Sequence, residues 1–175
     1  MKIITLIRRF LLPGFMVTIV CLFKYGCKIS PRAEVELSPN LLIGKKSQIA
    51  SFCKLKSSNG PLRIGENVSI AVGCFISAQK GGLHIGDNSM VGPNVSITSN
   101  NYGYDRLDIP MCKQGRTSKG VRIEDDVWIG SNASILDGAE IGSGSIITPN
   151  SVVSSRIPKN SIVQGNPGKV IFTRR

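Results

Sequence analysis

The stretch IEDDVWIGSNASILDGAEIGSGSIITPNSVV, residues 123–153, decides the fold. A branched aliphatic residue returns in it at every sixth position: Ile123, Ile129, Ile135, Ile141, Ile147 and Val153. A helix repeats its apolar positions roughly every 3.6 residues, and a half-buried strand repeats them every two. A period of six belongs to a chain wound into a three-sided prism, one hexad to a face. Nearer the N-terminus the same beat runs through Ile43, Ile49 and Leu55, then Ile64, Ile70 and Ile76, then Ile85, Val91 and Ile97. Three-residue spacers, Pro61-Leu62-Arg63 and Gly82-Leu83-His84, separate these triplets. The first hexad position points inward, and each buried aliphatic side chain there contributes roughly 1.5–3 kcal/mol. The fifth also points inward, near a corner, and is small throughout, as in Ser47, Cys53, Val68, Ala133 and Ser145. The second is often glycine (Gly44, Gly65, Gly86, Gly92, Gly130, Gly142), read as suiting tight corners. Successive coils place like on like, so Ile43, Ile64, Ile85, Ile123 and Ile141 form one ladder with steps of about 4.8 Å.

Composition agrees with a thin prism. The 175 residues make one domain of ordinary size, and aromatics are only 6%, natural for a core filled by aliphatic residues. The formal charge of +11, from 22 Lys+Arg against 11 Asp+Glu, points to a phosphate-rich or anionic-lipid partner. Nucleic acid is not expected, because no recognition motif appears and the basic residues are not interleaved with stacking aromatics. The five cysteines (Cys21, Cys27, Cys53, Cys74, Cys112) form no CxxC pair. Cys53 and Cys74 hold equivalent inward positions one coil apart and read as small core residues in a reducing, cytoplasmic setting. The single histidine, His84, excludes a three-histidine zinc centre, and no metal is expected.

Residues 1–28 differ in kind and read as an N-terminal helical cap or membrane-contacting segment. Met1 to Leu12 puts Ile3, Ile4, Ile7, Phe10 and Leu11 on one helical face, with Lys2, Thr5 and Arg9 opposite. Pro13 can start a second helix and Gly26 can end it. Phe10 to Phe23 carries no charge, yet as a helix it reaches only about 21 Å, short of the roughly 30 Å hydrocarbon core. Arg8 and Arg9 before it, and Lys24 and Lys28 after it, suit headgroup phosphates, so residues 1–25 are candidates for membrane-surface contact. No small-residue cleavage site follows, which argues against a secretory leader. A cap over the open end of a solenoid is the other role such a segment can fill.

Two strings carry a family likeness: VRIEDDVWIGSNASILDGAEIGSGSI at 121–146 and IPKNSIVQGNPGKVI at 157–171. With the hexads and a long excursion before Ile123, the chain resembles the hexapeptide-repeat acyltransferases. It is most similar to the maltose and galactoside O-acetyltransferase-like branch, which modifies sugars and polysaccharides. That resemblance implies an all-β, left-handed parallel β-helix at 29–175 with a long loop at 98–122, and a homotrimer with acetyl-CoA in the cleft between neighbouring prisms. The implied activity moves an acetyl group from acetyl-CoA to a sugar hydroxyl of a glycan or glycan precursor. A cytoplasmic site at the inner face of the membrane suits such an acceptor. N-acylation of an amino sugar and a non-catalytic scaffold are the alternatives.

The loop TSNNYGYDRLDIPMCKQGRTSKGVR, residues 98–122, raises the question of the base. In the resembling family it supplies a histidine, typically three residues before an aspartate. Here the residue three before Asp105 is Tyr102, preceded by Asn101. A phenol with a pKa near 10 is a poor base at neutral pH, and the departure motivates both alternatives. His84 offers a second route. It precedes inward Ile85, should point outward, and lies about one strand spacing below the root of the loop. For CoA the resemblance implies Trp128 and Ser131 around the WIG turn, Pro149 where a small residue is usual, and Ser154 and Ser155 in place of a Thr-Lys pair. Lys169 matches a basic residue that can meet a CoA phosphate, with Lys119 and Arg122 as further cations.

Overall fold

The computed structural model describes residues 13–57 and 59–175. Three parallel sheets form the sides of a β-solenoid, and each inward ladder occupies one sheet. One six-stranded sheet stacks Ile43, Ile64, Ile85, Ile123, Ile141 and Ile157, the ladder predicted from the hexads plus one further rung. A second six-stranded sheet stacks Val35, Leu55, Ile76, Ile97, Ile135 and Val153. The eight-stranded sheet runs from Ile29 through Ile49, Ile70, Val91, Ile129 and Ile147 to Val163, with Lys169–Thr173 added antiparallel at its end. These side chains and the small fifth-position residues form a single buried cluster, with Ile85, Ile97, Ile123 and Ile129 fully inaccessible.

The coil extends further than the beat indicates. Ile29 and Val35 open a turn, but the spacing from Val35 to Ile43 is eight; Ile157 and Val163 extend the top, but the spacing from Val153 to Ile157 is only four. The spacers are not mere connections either. Leu62 and Leu83 lie within the strands Leu62–Ile64 and Leu83–Ile85, and with Leu41 and Val121 they build a second inward ladder on that sheet.

The corners correct the glycine expectation. Gly44 and Gly130 do not adopt positive φ. They are needed because coils approach closely: a Cβ on Gly44 would lie 2.4 Å from the Gly65 carbonyl carbon, and one on Gly130 2.5 Å from the Pro149 nitrogen. The left-handed residues sit instead at the fourth hexad position, as in Asn67, Asn88, Asn94, Asn132 and Asn150. Left-handed backbone costs most residues about 1–2 kcal/mol, and the short side chain of asparagine offsets part of this by local hydrogen bonding. Asn67 Nδ2 donates to Asn88 Oδ1 across one coil at 3.0 Å.

The base of the prism is closed by α1 (Gly14–Tyr25), with Pro13 before it and Gly26 as a left-handed C-cap at φ 65°, as Pro13 and Gly26 predict. Val17 and Cys21 of α1 pack into the core, Thr18 Oγ1 donates to the Ile29 carbonyl at 2.9 Å, and Tyr25 donates to the Leu41 carbonyl at 3.0 Å. α1 therefore lies across the first coil. The helix expected from Met1 to Leu12 falls outside the described residues. The cysteines among the described residues are free thiols; all are buried save Cys112.

Candidate functional site

The long loop leaves the prism after Ile97 and returns at Ile123, so its root lies where two sheets meet. Its arms pair as a short antiparallel ribbon, Asn101 opposite Thr117 and Tyr102 opposite Arg116. The Arg116 guanidinium lies 4.7 Å from the Tyr102 ring centroid and donates to the Tyr102 hydroxyl at 2.8 Å. Tyr102 is half exposed and Asn101 and Asp105 are exposed. The tip is gathered by Gln114, which accepts from the Arg106 amide at 3.0 Å and donates to the carbonyls of Arg106 and Ile109. Arg106 also pairs with Asp108. Where the loop rejoins the coil, the buried Asp137 carboxylate accepts from the Lys119 and Gly120 amides at 2.8 and 2.9 Å.

Beside that root is a groove of about 360 Å³, lined by Arg63, His84, Lys119, Arg122 and Glu140 among others. Its floor follows from register: Arg63, His84 and Arg122 each precede an inward isoleucine and stack as neighbours on one sheet. His84 is thus held between two arginines, partly covered. Burial first and the Arg122 charge second lower its pKa from the ordinary 6.5, outweighing the opposite pull of Asp125. An imidazole in this place stays neutral and able to accept a proton. The same face continues past Arg122 into a second groove of about 430 Å³ that reaches Arg156 and Lys159.

The residues marked for CoA lie elsewhere. Trp128 is on the eight-stranded sheet in the strand Trp128–Ile129, 45% exposed. Ser131 occupies the corner after that strand, and Pro149 stacks beside Gly130 from the next coil. Ser154 and Ser155 are exposed at the corner before Arg156–Ile157, and Lys169 is exposed at the start of the final strand. Lys119 and Arg122 alone among the proposed cofactor cations line the His84 groove. A single prism therefore does not bring Trp128 and His84 together, because they stand on different sheets. Arg63, missed as a site residue, was available from the sequence, since it holds the same place before Ile64 that His84 holds before Ile85. Asp137, Gln114 and Arg116 were not, because their partners lie along an aperiodic loop.

The fold defines a parallel β-solenoid of six-residue repeats, and comparison with known proteins agrees. The model for bacterial transferase hexapeptide (six repeats) matches residues 120–155, and that for the hexapeptide repeat of succinyl-transferase matches residues 61–99. WbbJ of Escherichia coli (strain K12), provisionally named a lipopolysaccharide biosynthesis O-acetyl transferase, is 36% identical over 89 residues, 47% of this chain and 45% of that protein. The chain thus matches less than half of this curated relative. AntD, an N-acyltransferase from Bacillus cereus solved with dTDP and 3-hydroxybutyryl-CoA, superposes with a TM-score of 0.75 at 21% identity, covering 86% of this chain and 81% of AntD. The acetyltransferase domain of PglB from Neisseria gonorrhoeae, solved with acetyl coenzyme A, gives 0.62 at 20% identity over 83% of this chain and 58% of that one. At such identities these two likenesses speak for the fold. The chain thus carries the hexapeptide repeat of bacterial transferases at residues 61–99 and 120–155 and is similar over part of its length to acetyltransferases built on it.

Proposed function

We propose that the protein transfers an acetyl group from acetyl-CoA to a hydroxyl of a sugar in a glycan or glycan precursor, with His84 as the general base. The observation that carries this reading is the placement of the sole histidine, uncharged, in the groove at the root of the long loop. His84 takes the proton of the acceptor hydroxyl as its oxygen forms a bond to the thioester carbonyl carbon. The tetrahedral intermediate then breaks its carbon–sulfur bond, and the departing CoA sulfur takes the proton back from the imidazolium. A positioned base of this kind supplies about 10²–10⁴-fold of rate. Lys119 and Arg122 give the groove positive charge for the developing oxyanion. Tyr102 is the weaker candidate, since its hydroxyl already accepts from Arg116, which ties the ring to the opposite arm of the loop. Asn101 and Asp105 are assigned to the acceptor side of the loop.

A homotrimer completes this reading. Trp128, Ser131 and Pro149 of one prism, with Ser154 and Lys169, form the donor surface, and the groove of a neighbour faces it. Light scattering should return a mass near three times 18.8 kDa. A stable monomer would remove the shared cleft. Activity is tested by thiol release from acetyl-CoA with sugar acceptors: His84→Ala should lose about 10²-fold or more, and an unchanged rate rejects His84 as base. Tyr102 at the loop position favours a second reading, N-acylation of an amino sugar, where an unprotonated amine attacks without help from a strong base. Mild alkali separates the two, cleaving an acetyl ester and sparing an amide. If no acetyl-CoA binds, the scaffold alternative replaces both.

A further inference from the structure

We infer that α1 seats the protein on an anionic membrane surface, with the base of the prism against the lipid headgroups. α1 crosses the open end of the coil, and only Val17 and Cys21 of its apolar residues are buried. The face turned away from the core carries Phe15, Met16, Ile19, Val20, Leu22 and Phe23, from 40% to 84% exposed. Their spacing of three and four makes two adjoining rows, Phe15–Ile19–Leu22 and Met16–Val20–Phe23. Exposed single apolar residues are ordinary, but a continuous patch of this size marks a contact surface.

The charge around the patch names its partner. Lys24 and Lys28 flank the C-terminal end of α1. Lys45 reaches the same place, its Cγ 3.4 Å from where a Gly26 Cβ would stand, and the Lys46 amide donates to the Gly26 carbonyl at 3.0 Å. Residues 13–57 hold seven lysines and arginines against two glutamates, and one of those, Glu34, is engaged by Lys54 at 2.8 Å. A helix with a wide apolar face and a collar of lysines matches the boundary between acyl chains and phosphates. It cannot cross that layer: 12 residues rise about 18 Å against a hydrocarbon core of about 30 Å. A seat on the base leaves the sides of the prism free, with His84 two coil steps, about 10 Å, beyond the first rung of its sheet. The inference rests on none of the acyltransferase reading.

Co-sedimentation of the full chain with phosphatidylcholine vesicles, with and without phosphatidylglycerol, tests it. Binding is expected to the anionic vesicles, weakening as salt rises. Phe23→Glu together with Ile19→Glu should abolish it, and Lys45→Gln and Lys46→Asn should each weaken it about fivefold. These positions are exposed, and an unchanged melting temperature shows that the variants fold. Equal binding to neutral and anionic vesicles, unchanged binding by the α1 variants, or a chain that stays in solution with every vesicle overturns the proposal. The last outcome would mean that a protein partner covers the patch.

Discussion

The coil and the loop that interrupts it are specified in opposite ways. Ile97 and Ile123, on either side of the loop, are fully buried, whereas Leu107 between them is fully exposed. In the coil each inward residue is fixed by its neighbours above and below, so one rule places six rungs on a sheet. In the loop no rule repeats, and its shape rests on a few polar contacts from Gln114, Arg116 and Asp137. The rigid region thus positions His84 by register, whereas Tyr102 and Asp105 sit on the loosely tied loop and are exposed. A side chain before an inward isoleucine faces out of the coil, as Arg63, His84 and Arg122 do on one sheet.

Substitutions can break that contrast. The largest effect should come from the coil: Ile129→Ala removes a fully buried side chain with no room to collapse and should cost about 2–5 kcal/mol in urea unfolding. Next is the tie between the regions. Asp137→Ala leaves the Lys119 and Gly120 amides without their acceptor and should cost about 1–3 kcal/mol. It should also speed proteolysis within 98–122, while the core hydrogen exchange pattern is kept. If Asp137→Ala cuts no faster than wild type, the loop is held by other contacts. The smallest effect belongs inside the loop. Tyr102→Phe loses one exposed hydrogen bond to Arg116 and should cost at most about 1 kcal/mol, with transfer kept at the wild-type rate.

The same contrast decides what could be read from the chain alone. Periodicity exposed the prism, the ladders and the outward position of His84, because each depends on a spacing written in the residues. It stopped at Ile43 and Val153, where the spacing changes to eight and four although the physical stacking continues through Val35 and Ile157. It also assigned the corner glycines to conformational freedom, where close approach of coils is the cause and asparagine takes the left-handed positions. The pairing of Tyr102 with Arg116 joins residues fourteen apart across an aperiodic hairpin. Nothing local in either residue announces it.

The central claim, that the proton passes to His84, is tested most directly by the pH dependence of kcat/KM for acetyl transfer. The imidazole accepts a proton only when neutral, and burial with the nearby arginines holds its pKa below 6.5. The rate should therefore be constant through neutral pH and fall on the acid side with a midpoint below 6.5, in wild type and Tyr102→Phe alike. A rate that climbs towards the phenol range near pH 10, or an acid limb that persists unchanged in His84→Gln, would contradict it.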